Sequence, residues 1–147
     1  VSSSQTLANL RELQALREQR SKADHARAVR AERSASEETK KAKAKLDAQN
    51  LALDHYAAQG ELQIERFQIF AQLINDSAAE LETCRETYKQ ASDDEISKRQ
   101  LRLRAERQSD HLAECHREAV GKERRKEEDR KSRDFLSRTA ASRGARV

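Results

Sequence analysis

Proline and tryptophan are both missing from this chain, and neither absence is neutral. Without proline, nothing in the sequence forces a helix to kink or stop. Without tryptophan, and with only three phenylalanines and two tyrosines beside 23 alanines, a thick globular core is excluded. Glycine is almost absent as well: Gly60 is the only one before Gly121. No run approaches the roughly 20 apolar residues that cross a bilayer, and no basic-then-apolar signal peptide opens the chain. Residence in the cytoplasm without membrane insertion is therefore the expectation. The two cysteines, Cys84 and Cys115, form no CxxC pair. On one continuous helix they would stand roughly 46 Å apart, too far to bridge, so free thiols are expected.

What is present is charge and helical spacing. With 38% charged residues and abundant alanine, the composition matches long helices and coiled coils. Disorder is the competing class, and the helical spacing of leucine and isoleucine argues against it. The spacing predicts an all-α fold, an antiparallel two-helix coiled-coil hairpin spanning 1–147 as a single domain. Helix one runs over about 5–58, the turn over about 59–62, and a longer helix two over about 62–140. Gly60 marks the turn, because glycine alone takes the left-handed conformation without strain. The rival break is Ser92-Asp93-Asp94-Glu95, a capping box without glycine.

Charge divides along the sequence. Residues 1–45 carry a net +5, residues 46–95 a net −8 and residues 96–147 a net +7. Folding at residue 60 would give an acidic tip and a basic base whose ends prefer different partners.

Taken in order, Ser2, Ser3 and Ser4 are candidate N-caps, with Gln5 three residues after Ser2. Leu7, Leu10, Leu13 and Leu16 step by three and so wind across about half the helix circumference, wider than one partner helix covers. This is either a frayed amphipathic end or a docking site. From 17 to 45 the inward residues are expected to be small: Ala23, Ala26 or Ala28, Ala31, Ala35 and Ala42. Leu46 and Leu53 resume a seam at spacing seven, with Tyr56 close to the same side. On helix two, Phe67, Phe70, Ile74, Ala78, Leu81 and Tyr88 should face helix one. A second stripe of Leu62, Ile69 and Leu73 lies roughly 110° away, with Leu51 likewise turned from its own seam. A two-helix hairpin cannot bury both stripes, so the leftover one reads as a partner or self-association surface. Beyond residue 95, Ile96, Leu101, Leu103, Ala105, Leu112, Cys115 and Ala119 change register, which predicts stutters. Residues 117–133 read as a solvated or overhanging helix laced with i,i+4 ion pairs.

Catalytic and metal chemistry find little to work with. His111, Cys115 and His116 are the only cluster of ligand types, but His116 is turned about 100° from Cys115 and no fourth ligand is near. No Gly-rich phosphate loop, HExxH or GxSxG occurs. No enzyme activity, metal or cofactor is expected. Residues 117–134 hold eight Lys/Arg but also six Asp/Glu, with no aromatic placed to stack on bases, so nucleic acid is not an expected partner.

The opening Leu7-Ala8-Asn9-Leu10-Arg11-Glu12-Leu13 resembles the leucine-rich start of the FliJ/YscO family, the central stalk proteins of flagellar and injectisome type III secretion. The closing Asp134-Phe135-Leu136-Ser137-Arg138-Thr139-Ala140 is similar to that family's acidic-Phe-x-x-Arg-x-Ala ending, and Asp-Phe-Leu is nearer the injectisome branch. The resemblance implies a hairpin that enters the pore of a hexameric export ATPase at the cytoplasmic base of the apparatus and promotes its assembly and activity. It also implies links to the export gate's cytoplasmic domain and to secretion chaperones. ATPase contacts would then fall on Leu7, Leu10, Leu13, Leu16, Phe135, Leu136 and Arg138. By region, gate and chaperone contacts would fall on Leu51, Leu62, Ile69 and Leu73. The alternatives are a dimeric structural coiled-coil spacer or scaffold, and a non-specific nucleic-acid-binding rod.

Overall fold

The computed structural model describes residues 2–146; Val1 and Val147, the two ends of the expected domain, lie outside them. Among the described residues there are two helices and no strand: α1, Ser3–Ala58, with 56 residues, and α2, Ile64–Gly144, with 81. They form an antiparallel helical hairpin that turns near residue 60, and the second helix is the longer.

Each end of α1 has a local cause. Ser2 Oγ accepts the Gln5 amide at 3.2 Å, and the Ser2 carbonyl accepts the Thr6 amide, so two of the first turn's donors are satisfied. At the other end, the amides of Gln59 and Gly60 close tight turns onto the carbonyls of Tyr56 and Ala57, and Gly60 then takes φ +78°. Only glycine enters that region cheaply. Tyr56 ties the connection down: its hydroxyl accepts the Gln63 amide at 2.9 Å, and its ring lies 5.3 Å from that of Phe70. The rival break does not occur, since residues 92–95 lie inside α2.

The helices divide into two compact units. The terminal unit pairs the stretch ending at Arg20 with the stretch beginning at Leu103, and the turn unit is Ser21–Arg102. In the turn unit, the shielded residues of α1 recur in steps of four and three from Ser21 to Tyr56, with Ala28, Ala35 and Ala42 buried. They face a series on α2 that runs in the same steps from Phe70 to Arg102 and buries Ser77, Leu81 and Glu95. In the terminal unit, Leu7, Gln14 and Glu18 belong to such a series, as do the residues from Ala105 to Glu123.

Several expectations need correction. Ala23, Ala26 and Ala31 are exposed, and the inward alanines are those seven residues apart. Phe67 is 48% exposed instead of facing α1, and Tyr88 sits at the exposed margin of its seam. No stutter follows residue 95: Ile96, Leu101 and Leu103 are exposed, while Glu95, Lys98, Arg102, Ala105 and Ser109 carry the repeat onward. The apolar residues alone shift register there. The seam does not, because polar side chains hold its positions.

A seam of alanine buries little at about 25 cal/mol per Å², and no described side chain is completely shielded. Cross-helix polar contacts accompany it. Thr39 Oγ1 donates to the Ala35 carbonyl at 2.8 Å and lies 3.2 Å from the Cys84 carbonyl of α2. Ser77 donates to Gln49, and Lys45 Nζ meets Glu80 at 3.0 Å. Such hydrogen bonds contribute about 1 kcal/mol each, and exposed pairs less.

The two inner glycines make opposite predictions. A Cβ would meet nothing within 4 Å at either, but Gly60 has a positive φ and Gly121 lies within α2. Gly60→Ala should destabilise by about 1 kcal/mol through left-handed strain, and Gly121→Ala should stabilise by a similar amount through helix propensity. Urea unfolding followed by circular dichroism checks both signs.

Candidate functional site

In the terminal unit the leucine series leaves the seam by about 60° per step, as a spacing of three requires. Leu7 is half-buried; Leu10, Leu13 and Leu16 are exposed, Leu16 the most at 64%. Polar contacts hold this end of α1 to α2. The Ser4 amide donates to Glu123 Oε1 at 3.0 Å and the Ser4 hydroxyl to Oε2. These bonds, the hydroxyl's first, hold the Glu123 carboxyl below its ordinary range. Arg11 Nη1 donates to His116 Nδ1 at 3.0 Å, and the buried Gln14 amide donates to the Ala105 carbonyl at 3.2 Å.

Beyond Glu123, α2 continues to Gly144, with Phe135, Leu136 and Arg138 exposed. Phe135 stands twelve residues past the clamp, roughly 18 Å along the helix axis. The seven residues assigned to ATPase contact therefore form two separate surfaces, the leucines on α1 and the Phe135–Arg138 segment on α2. Surface pairs Arg124–Glu128 and Lys131–Glu127 lace this stretch at 3.0 and 3.7 Å.

In the turn unit, Leu51, Leu62, Ile69 and Leu73 are all exposed. Ile69 and Leu73 lie one helical turn apart on one flank of α2, and Leu51 is on the outer side of α1. Two further exposed residues, Ile64 at 76% and Phe67, occupy the other flank. Ile64 had no sequence assignment; its place just after the turn was the available signal.

A polar cluster in the same unit was not foreseen. Glu95, buried in the seam, accepts Arg99 Nε at 3.1 Å and Arg99 Nη2 at 2.6 Å. His25 Nε2 lies 2.9 Å from Glu95 Oε1, and Arg102 Nη1 lies 3.3 Å from His25 Nδ1. Since Arg102 can only donate, Nδ1 accepts, and the proton on Nε2 goes to Glu95. The hydrogen bonds from Arg99, then His25, lower the Glu95 carboxyl from 4.5 to about 2. Counting back in sevens from Leu53 and Leu46 reaches Thr39, Glu32 and His25, so a seam histidine was there to be found.

Cys115 Sγ lies 3.6 Å from His111 Nε2, whereas His116 turns to Arg11. Among the described residues no group of three His, Cys, Asp or Glu side chains is placed to hold a metal ion, and no helix is long and apolar enough to cross a membrane. No protein-family model matches the chain, and neither a curated protein nor a solved structure matches it.

The Glu95 contacts carry a pH signature. A carboxylate with a lowered folded-state pKa adds stability that is complete above its ordinary value of 4.5 and is lost as pH falls through about 2. Thermal melts of the unaltered chain and of Glu95→Gln should therefore converge on acidification from pH 4.5 toward 2. A difference that stays constant from pH 7 to 2 would show that ionisation of Glu95 contributes nothing.

Proposed function

We propose that this chain is a stalk protein of the FliJ/YscO type, which enters the pore of a hexameric type III export ATPase and promotes its assembly and ATP hydrolysis. It acts at the cytoplasmic base of the secretion apparatus as an activator and not as a catalyst. The observation that carries the reading is the exposed stripe of Leu10, Leu13 and Leu16 in the terminal unit, on the very stretch where the sequence resembles that family. A two-helix hairpin ending in such a stripe offers a slender insert and an apolar contact for a surrounding ring. The exposed Phe135, Leu136 and Arg138 would form a second contact, separate from the leucines.

In this reading the turn unit serves the other partners, the export gate's cytoplasmic domain and secretion chaperones, through Leu51, Leu62, Ile69 and Leu73. Their exposure supports a binding role. The same exposure favours a second reading, a structural spacer that dimerises through this surface. Molar mass at low micromolar concentration separates the two, because a ring pore should admit one hairpin and a spacer of this kind would be a dimer.

The test is ATP hydrolysis by the export ATPase of the same organism, with and without this chain, alongside sedimentation of the ATPase. The expected result is stimulation together with a shift to hexamer. Leu10→Glu combined with Leu13→Glu should leave helix content nearly unchanged and abolish stimulation. Unchanged stimulation by that variant would remove the leucines from the ATPase contact, and no stimulation from the unaltered chain would leave the dimeric spacer as the better account.

A further inference from the structure

His111 and Cys115 stand one turn apart on α2, in the terminal unit, and so share one flank of the helix. His111 Nε2 lies 3.6 Å from Cys115 Sγ, with the histidine exposed and the cysteine half-buried. Cys115 is a free thiol, and His116, the other ligand type beside it, is turned to Arg11. The separation of the two donors selects a geometry. With a metal–sulfur bond of about 2.3 Å and a metal–nitrogen bond of about 2.0–2.1 Å, a tetrahedral ion holds its S and N ligands about 3.5–3.6 Å apart. Ligands at a right angle, as in square-planar or octahedral sites, would with the same bonds be about 3.1 Å apart, and ligands in line about 4.3–4.4 Å. His111 and Cys115 therefore already stand at the tetrahedral bite.

We infer that His111 and Cys115 chelate a zinc-class divalent ion through imidazole Nε2 and thiolate Sγ, with water in the remaining positions. The thiol proton passes to solvent as the Sγ–metal bond forms, since the thiolate is the ligand. A nitrogen and a sulfur donor disfavour Mg2+ and Ca2+, which take oxygen. Structural zinc is held by four protein ligands. Among the described residues no group of three His, Cys, Asp or Glu is placed to hold an ion, so this two-ligand site is an exchangeable one, open on its solvent side. Glu114 and Glu118, three residues after His111 and Cys115, border the same flank and add negative charge that favours a cation. Arg107 and Lys122 lie one turn further out at either end. The inference stands apart from the ATPase reading, and neither needs the other.

The experiment titrates the reduced full chain with Co2+ as a tetrahedral probe and then competes with Zn2+. The expected result is one cobalt per chain, with a sulfur-to-cobalt charge-transfer band and the visible bands of tetrahedral cobalt, all bleached by Zn2+ and unaffected by Mg2+. Cys115→Ser should remove the charge-transfer band, and His111→Gln should weaken binding at least about tenfold with helix content unchanged. Cys84→Ser and His116→Gln should bind as the unaltered chain does. Full-affinity binding by His111→Gln would overturn the chelate in favour of a thiol that takes metal alone, and loss of the band in Cys84→Ser would move the site elsewhere. One cobalt per two chains would overturn the single-chain site in favour of an ion shared between copies. Cobalt binding without a charge-transfer band, or no binding at all, would remove Cys115 as a ligand.

Discussion

Close approach of two helices along a line of alanines is the constraint from which the rest of the turn unit follows. Ala28, Ala35 and Ala42 recur every seventh residue on the buried side of α1. Where only a methyl group separates the backbones, even a short side chain can reach across, and the Thr39 hydroxyl comes within hydrogen-bond distance of the Cys84 carbonyl. Leu51, Ile69 and Leu73 are outside because their spacing turns them away from the seam that Leu53, Tyr56, Phe70 and Ile74 occupy beside them.

A narrow seam has a weakness: methyl groups look alike, so one alanine register resembles the next. The His25, Glu95, Arg99 and Arg102 cluster supplies what alanine cannot. Sliding α1 by a heptad would take His25 from Glu95 and leave a buried carboxylate without one of its donors, which is costly. In the terminal unit, Gln14 against the Ala105 carbonyl and Ser4 against Glu123 have the same effect. Polar seam residues thus fix alignment where aliphatic ones would only add adhesion, in keeping with the use of buried polar groups to set register in coiled coils.

The hairpin itself was legible in the sequence because its signals are local. Gly60 is isolated, proline is missing, and Leu46 and Leu53 announce a spacing of seven. The seam was legible only where aliphatic residues occupy it. Ala28 and Ala35 could not be told from Ala23 and Ala31 by composition, and past residue 95 the aliphatic Ile96, Leu101 and Leu103 point to the wrong face. Polar residues at Glu95, Lys98 and Arg102 hold the buried positions, and hydrophobic periodicity is blind to them. For the surfaces the reading did better: Leu10, Leu13 and Leu16 and the Ile69–Leu73 flank are exposed, because an angle on a helix follows from spacing alone. An overhang of the second helix was read as well, but not where it begins, since that depends on where Ser4 meets α2.

The scarcity of aromatic rings and the packing of Tyr56 together make part of the molecule self-reporting. With no tryptophan, ultraviolet emission comes from Tyr56 and Tyr88, both in the turn unit. Tyr56 has its ring near Phe70 and its hydroxyl engaged by the Gln63 amide, so its emission and absorption depend on the connection being closed. The tyrosine signal of this chain therefore belongs to one unit and is silent on the other, whose opening has to be followed by helix dichroism or with an added label.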